Sequence, residues 1–390
     1  MNTHLGEKHN MKMLYILNVA NRVNNFSYTS MIAAKKCGFE FHIAGHWAYG
    51  SDEERLNDEL KYGIRIHQVD FVRKPYSLKN YKAYRQVLAL CRKEQFDIIH
   101  CNTPIGGLIG RLVGSKCKTK TVIYQAHGFH FYKNAPLINW LIYYPIEKWL
   151  AHKTDILITI NEEDYLLAKK KMHIKKSGHI IKIPGVGIDL ETFDYSSTLR
   201  NKKRKELNIS NEEVCVISAG DLIKRKNYRT AIDAISKTAN KKIKLLICGD
   251  GPCKKSLERL IANYQLKDRV FLLGYRNDLP ELMASADIFL LTSKQEGIPR
   301  STMEAMASHL PCVVSNIRGN TDLLYDVSKD YLCEPTDAKG IAKKLDELSY
   351  DEDKRMELGC LNFNKIKDFC TDRIEANFFE EYNNLLSGEK

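Results

Sequence analysis

Short apolar runs rich in Val, Ile, Leu and Phe recur at residues 13–17, 39–44, 63–67, 96–101, 121–125 and 156–160, and again at 214–218, 243–248, 270–273, 288–292 and 312–315. Runs of this length suit strands, and stretches with helical periodicity separate most of them. Strands alternating with helices predict an α/β fold with parallel sheets. The pattern reads as two doubly wound domains in series. Pro and Gly concentrate in Ile183-Pro-Gly-Val-Gly-Ile-Asp189, and a charged, polar segment follows at 195–205, so a domain boundary is placed there, giving residues 1–188 and 189–370. No internal sequence repeat or low-complexity tract is visible.

At 390 residues and 44% hydrophobic content the chain is long enough to bury two cores. The formal charge of +12 is uneven: residues 1–190 carry 28 Lys/Arg against 16 Asp/Glu, and residues 191–390 carry 32 of each. A basic first half suits an acidic partner, either phosphate groups or an anionic membrane surface, although solubility alone also accounts for it. The charge is not interleaved with a nucleic-acid reading motif, so nucleic acid is not an expected partner. Eleven scattered cysteines, with no Cys-x-x-Cys pair and no His/Cys cluster, indicate neither a disulfide framework nor a zinc site. Residues 1–10 are polar, unlike a signal peptide, and read as a dispensable leader before Met11. No apolar run approaches the roughly 18 residues of a membrane span. A cytoplasmic, reduced protein is expected.

Chemistry concentrates where strands in the second half lead into helices, since ligands of open α/β sheets bind beyond the carboxyl ends of strands. Gly220 permits close approach in Ser218-Ala-Gly-Asp-Leu-Ile-Lys-Arg-Lys-Asn227, and Lys224, Arg225 and Lys226 offer cations to phosphate. Gly249-Asp-Gly251-Pro252 is a tight turn, open either to a nucleotide or to an ordinary strand-to-helix connection. In Ser293-Lys-Gln-Glu-Gly-Ile-Pro-Arg-Ser-Thr-Met-Glu-Ala-Met-Ala307, Glu296 lies in a loop and Glu304 in the following helix, seven residues between them. Gly297 and Pro299 let the backbone turn, and free amides at the helix N-terminus face outward. The result is an anion site with a carboxylate on either side, matching the polarity of a sugar nucleoside diphosphate; the plainer reading is a surface loop before an amphipathic helix. His127 follows a strand, where a functional loop belongs, whereas His130 reads as structural and His100 as packed at a strand end. Asp351-Glu-Asp353 reads as a solvated helix cap. The first strand leads into residues 18–25 without a Gly-x-Gly-x-x-Gly fingerprint, which argues against a dehydrogenase.

The Glu-x7-Glu spacing, the Glu-Gly-x-Pro loop and the Glu-Ala-Met-Ala helix at 296–307 resemble the retaining glycosyltransferases of family 4. Gly220 to Asn227, Gly249-Asp-Gly-Pro252 and Ala126-His127-Gly128 resemble flanking motifs of that family, and the stretch 127–148 is similar to enzymes of capsule and exopolysaccharide assembly. The resemblance implies the GT-B fold: two facing Rossmann-like domains, acceptor bound by the first and donor by the second, the active site in the cleft, and residues 371–390 as a helix crossing back to the first domain. It implies that Glu304 binds ribose, that Lys226 and the amides of Gly297 and Ile298 neutralise the diphosphate, and that Glu296 and His127 face the transferred sugar. Gly220, Lys224, Arg225, Gly249, Gly251, Tyr275, Arg276 and Pro299 complete the donor-binding set. The family's Arg after Gly220 is Asp221 here, and Lys224 or Arg225 is expected to compensate.

No metal or other cofactor is expected, the nucleotide sugar being a substrate. Its expected partners are a UDP-sugar and a polyprenyl-diphosphate-linked or saccharide acceptor. An aromatic segment at 129–152, with Tyr81, Lys82, Tyr84, Arg85 and Arg92 upstream, reads either as helical packing or as a face that docks on anionic lipid, placing the protein peripherally on the inner membrane. The rival readings are a UDP-sugar 2-epimerase of the same fold and a non-catalytic nucleotide- or nucleic-acid-binding protein.

Overall fold

In the computed structural model, which describes residues 11–387 apart from 21, 24, 48–50, 73, 75–76 and 194–196, the apolar runs form strands. The leader read at residues 1–10 lies outside the described residues. The first sheet contains β1 (Lys12–Val19), β2 (Glu40–His46), β3 (Arg65–Gln68), β4 (Ile98–Asn102), β5 (Thr121–Ala126), β6 (Ile156–Thr159) and β7 (His179–Lys182). The second contains β8 (Val214–Ala219), β9 (Ile243–Cys248), β10 (Val270–Gly274), β11 (Ile288–Leu291), β12 (Cys312–Ser315) and β13 (Leu332–Cys333). Their orders are β3-β2-β1-β4-β5-β6-β7 and β10-β9-β8-β11-β12-β13, with every pairing parallel. Each order reverses once, between β1 and β4 and between β8 and β11. At such a switch point the chain leaves neighbouring strands toward opposite faces, which opens a crevice at their carboxyl ends.

Alternation along the central strands explains why both faces are covered. Leu14 and Ile16 of β1 point into one core with Val87, Ile109 and Val113, while Met13, Tyr15 and Leu17 point into another with Met31 and Phe41. In β8, Val214 and Val216 enter the core formed with Ile232 and Leu345, and Cys215 and Ile217 enter that formed with Phe289 and Met306. Strands buried on two faces need continuous apolar sequence, hence the runs that mark them.

The chain divides into two compact units, residues 1–187 with 371–390 and residues 188–370. Within the first, the C-terminal helix Thr371–Ser387 inserts Ile374, Phe378 and Tyr382 beside Met13 and Tyr15. The Tyr382 hydroxyl lies 2.7 Å from His100 Nδ1, both groups buried. In the second unit the charged segment after the Pro/Gly turn is not merely a linker: Ser197–Glu206 is a helix, and its Arg200 and Arg204 both grip Asp287, which precedes β11. β7 and β13 have no counterpart among the sequence expectations. Both are edge strands: β7 places two isoleucines between exposed His179 and Lys182, and β13 has only two residues, so no apolar run stands out in either.

Candidate functional site

Because the strands of a sheet run parallel, all of its strand-to-helix turns lie on one edge. In the second unit that edge carries a charged cluster built on the two strands flanking the switch point, β8 and β11. After β8, residues Lys224–Lys226 form a short 3₁₀ turn that ends at Asn227 in the left-handed region, φ +55°. Asn227 Nδ2 donates to the carbonyls of Thr292 (3.1 Å) and Pro335 (2.8 Å), and the Lys294 amide donates to the Arg225 carbonyl (2.9 Å). The turn after β8 is thereby fastened to the loop after β11.

This fastening delivers two cations to one carboxylate. Lys226 Nζ lies 2.9 Å from Glu296 Oε1, at ion-pair distance but outside hydrogen-bond geometry, and Arg225 donates to Glu296 Oε2 at 2.9 Å and to the Gln295 carbonyl at 2.8 Å. Arg318 Nε donates to the Glu296 carbonyl at 3.0 Å. Burial pushes the Glu296 carboxyl upward, but Lys226 and Arg225 outweigh it and hold the group below the ordinary carboxylate range. Lys224 is exposed and makes no ion pair among the described residues, and Asp221 is exposed as well. A Cβ on Gly220 would lie 3.0 Å from Lys226 Cε, so the glycine leaves the lysine arm its path.

Beyond Glu296, the helix Arg300–Ala307 starts behind Pro299, which caps it without a side-chain bond. The N–H groups of Gly297 and Ile298 donate to no protein acceptor among the described residues. Two free amides beside a helix N-terminus, with two cations at the neighbouring turn, form a place for an anion. Glu304 lies in the second turn of that helix, buried, its Oε1 accepting from Arg300 Nε at 2.8 Å. For Glu304, burial prevails over Arg300 and raises the pKa. The two glutamates of one motif are therefore displaced in opposite senses.

The glycines of the turn after β9 serve first to let two turns touch. A Cβ on Gly249 would fall 2.0 Å from the Gly220 carbonyl oxygen, and one on Gly251 would fall 2.8 Å from that of Leu222. Gly319, after β12, supports the anion loop from behind: its φ is +81°, and a Cβ there would lie 2.1 Å from the Gly297 carbonyl oxygen. At the end of β10, Tyr275 is exposed, and Arg276 is directed to Asp278, with Nε donating to Oδ1 at 2.7 Å, where Lys203 also pairs at 2.8 Å. Arg276 thus belongs to a separate ion-pair network on the same sheet edge.

In the first unit, His127 follows β5 and its Nε2 lies 3.0 Å from Oδ1 of Asn102, the last residue of β4. Burial lowers the His127 pKa to about 4, so the ring is neutral at pH 7. With Asn102 presenting its oxygen, the ring donates Nε2–H and keeps Nδ1 as an acceptor. Phe26 packs edge-on against the ring at 5.2 Å between centroids. Thr103, next to Asn102, has φ +63°, unusual for a β-branched residue and located at the switch point of this sheet. His130 stacks on Tyr143 at 4.5 Å.

Asn102, Phe26, Thr103, Arg300, Arg318 and Gly319 are among the residues absent from the sequence reading. Arg300 was open to detection through its i, i+4 spacing to Glu304. Arg318 and Gly319 lie in a turn after the run 312–315 that the same strand-to-helix rule marks. Thr103 carries no sequence signal. Among the described residues no three His, Cys, Asp or Glu side chains are grouped as metal ligands would be, and Asp351 caps the helix Glu352–Ile366 by accepting from the Lys354 amide at 2.8 Å.

Comparison with known proteins fits this geometry. The model of the family "Glycosyl transferase 4-like" matches residues 16–161, and that of "Glycosyl transferases group 1" matches residues 200–360. The chain is 32% identical over 331 residues to the putative glycosyltransferase EpsD of Bacillus subtilis, covering 83% of this chain and 84% of that one. It is 30% identical over 340 residues to the UDP-Gal:alpha-D-GlcNAc-diphosphoundecaprenol alpha-1,3-galactosyltransferase of Escherichia coli, covering 82% and 87%. The crystal structure of Anabaena HepE in complex with UDP-glucose superposes with a TM-score of 0.77 at 17% identity, covering 96% of this chain and 100% of that one. Two sheets with a switch point each, the charged turn fastened to the Glu296 loop, and these matches across both units lead to one statement: the chain belongs to the GT-B glycosyltransferases, with a family-4-like first part and a group 1 second part.

Proposed function

We propose that this glycosyltransferase moves a hexose or N-acetylhexosamine from a UDP-sugar to a lipid-linked or saccharide acceptor in surface polysaccharide synthesis, with retention at the anomeric carbon and without a metal. The observation that carries the reading is the pairing of Lys226 and Arg225 with Glu296 beside the free amides of Gly297 and Ile298. Departure of UDP builds negative charge on the β-phosphate. Preorganised cations and amides stabilise such charge, each donor typically contributing about 3–4 kcal/mol in the transition state. Before the donor binds, Glu296 neutralises the two cations. In the proposed complex the diphosphate takes over Lys226 and Arg225, and Glu296 turns to the sugar hydroxyls. Arg225 supplies the charge that Asp221 lacks. Glu304, protonated more readily than an ordinary carboxyl, meets the ribose hydroxyls. The first unit is assigned the acceptor and the second the donor. The Escherichia coli relative's diphosphoundecaprenol acceptor and the UDP-bound Anabaena structure support the choice of UDP and of a lipid-linked acceptor.

Thermal-shift measurements with UDP-, GDP- and ADP-sugars test the donor, since a ligand that binds only the folded state raises its melting temperature. UDP-sugars should stabilise the protein, and Glu296→Ala and His127→Ala should lower transfer at least about 100-fold. Absence of stabilisation by any nucleotide sugar overturns the reading. Product formed without acceptor would instead indicate a 2-epimerase, and NMR of the product decides retention.

A further inference from the structure

The helix Leu137–Ala151 of the first unit is amphipathic in the reversed sense. At 100° per residue, Leu137, Ile138, Leu141, Ile142, Pro145, Ile146 and Trp149 share one half of its circumference. That half faces away from the protein: Leu137 is 73% exposed, Leu141 64%, Ile138 57% and Trp149 51%. The polar and aromatic half faces inward. Glu147 binds the guanidinium of buried Arg111 at 2.8 Å, Trp140 and Tyr144 pack around Phe131, and Tyr143 stacks on His130. A helix whose carboxylate is inside and whose leucines are outside is not arranged for water.

We infer that this face is a docking surface for an anionic lipid bilayer. The rim is cationic: Lys133 and Lys148 are exposed, and Lys153 Nζ lies 5.1 Å from the Trp149 ring centroid. Glu147 is the only acid in the stretch 128–153, and it points inward. Acidic headgroups complement a lysine rim around an apolar strip, whereas a second copy of the chain would set lysines against lysines. Trp149 is suited to the boundary of headgroups and acyl chains. The helix lies on the bilayer and does not cross it: fifteen residues span about 22 Å, short of the roughly 30 Å hydrocarbon layer, and no helix among the described residues is long and apolar enough to cross a membrane. Insertion of the strip to about 5–10 Å is the geometry such faces adopt.

Sedimentation with phosphatidylcholine vesicles, with and without phosphatidylglycerol, tests this in the absence of donor and acceptor, so that its outcome is separate from that of the transfer reading. The full chain should pellet with the anionic vesicles at low salt and much less with neutral ones. Leu141→Glu should weaken binding at least about tenfold, and reversing Lys148 and Lys153 to Glu should lower it by about fivefold or more per site. Leu60→Glu, at an equally exposed leucine of the helix Asp52–Tyr62, should leave it unchanged and excludes a general effect of added charge. No sedimentation with anionic vesicles, or equal loss in Leu60→Glu, overturns the inference. So does a dimer in light scattering that Leu141→Glu dissociates, since the face would then be an interface between copies.

Discussion

Replacement of Gly319 by alanine should disable the enzyme from a position that bears no functional group. The added Cβ would lie 2.1 Å from the Gly297 carbonyl oxygen, against the 3.4 Å at which ordinary contact begins, so one side must retreat by about 1.3 Å. The strand β12 and its helix hold Gly319, and the loop 297–298 is the side with free amides, so the loop moves. A displacement of about 1 Å in a positioning element typically costs about 100-fold in turnover. Stability should fall as well, by about 1–3 kcal/mol for overpacking and about 1–2 kcal/mol for a non-glycine residue at φ +81°. Gly38 supplies the control: its φ is +80° with no atom within 4 Å of the added Cβ, so Gly38→Ala carries the backbone cost alone. Urea unfolding, turnover with a UDP-sugar and UDP calorimetry on the two variants separate the terms. Should Gly319→Ala turn over and bind UDP as well as Gly38→Ala, the loop amides do not hold the diphosphate.

Arg225→Ala should weaken UDP-sugar affinity by about tenfold or more, the loss of a charge-assisted bond, while Lys224→Ala should leave it unchanged; calorimetry giving equal losses would mean that general charge, not the Glu296 pairing, governs binding. Glu147→Ala leaves Arg111 buried beside the Tyr124 ring without its carboxylate and should cost about 3–5 kcal/mol in urea unfolding, with Arg111→Met added to it recovering part; a loss below about 1 kcal/mol would show that the pair is solvated. Burial lowers the folded-state pKa of His67 to about 4, of His100 to about 3 and of His127 to about 4, against 6.5 unfolded. Above pH 6.5 these rings are neutral in both states and stability is full. Below it the unfolded chain takes up protons that the folded chain refuses, and each ring should remove about 1.4 kcal/mol per pH unit until the pH reaches its folded value. Urea midpoints at pH 7, 6 and 5 should fall accordingly, and a flat profile contradicts the burial of these rings.

Nine of the eleven strands that show in the sequence lie inside their sheets, and they show because a strand covered on both faces must be apolar throughout, so that neighbouring residues suffice to see it. β7 and β13 do not show: β7 sets only two isoleucines between exposed His179 and Lys182, β13 has two residues, and both are held by backbone pairing with a neighbour rather than by composition. Part of the candidate site is local and therefore readable: Glu296, Gly297, Pro299 and Glu304 fall within nine consecutive positions. Arg318 and Gly319 reach the same loop only because β12 pairs with β11, a long-range fact that spacing does not contain. The helix at 137–151 makes the difference plain. Its apolar residues are visible in the sequence, but which half faces the protein depends on Arg111, which needs Glu147 inside.

The placement of the last helix orders the protein's birth. The first unit consists of residues 1–187 together with 371–390, so a segment made earlier is completed by one made after the whole of the second unit. Until Ile374, Phe378 and Tyr382 leave the ribosome, the pocket lined by Met13, Tyr15 and Phe39 lacks its cover. Residues 188–370 form a continuous unit, and its synthesis occupies that interval. At about 5–20 residues per second the interval is on the order of 10–40 s. A message truncated late in translation would therefore release a complete second unit joined to an incomplete first one with apolar surface exposed, a natural substrate for chaperones and proteases.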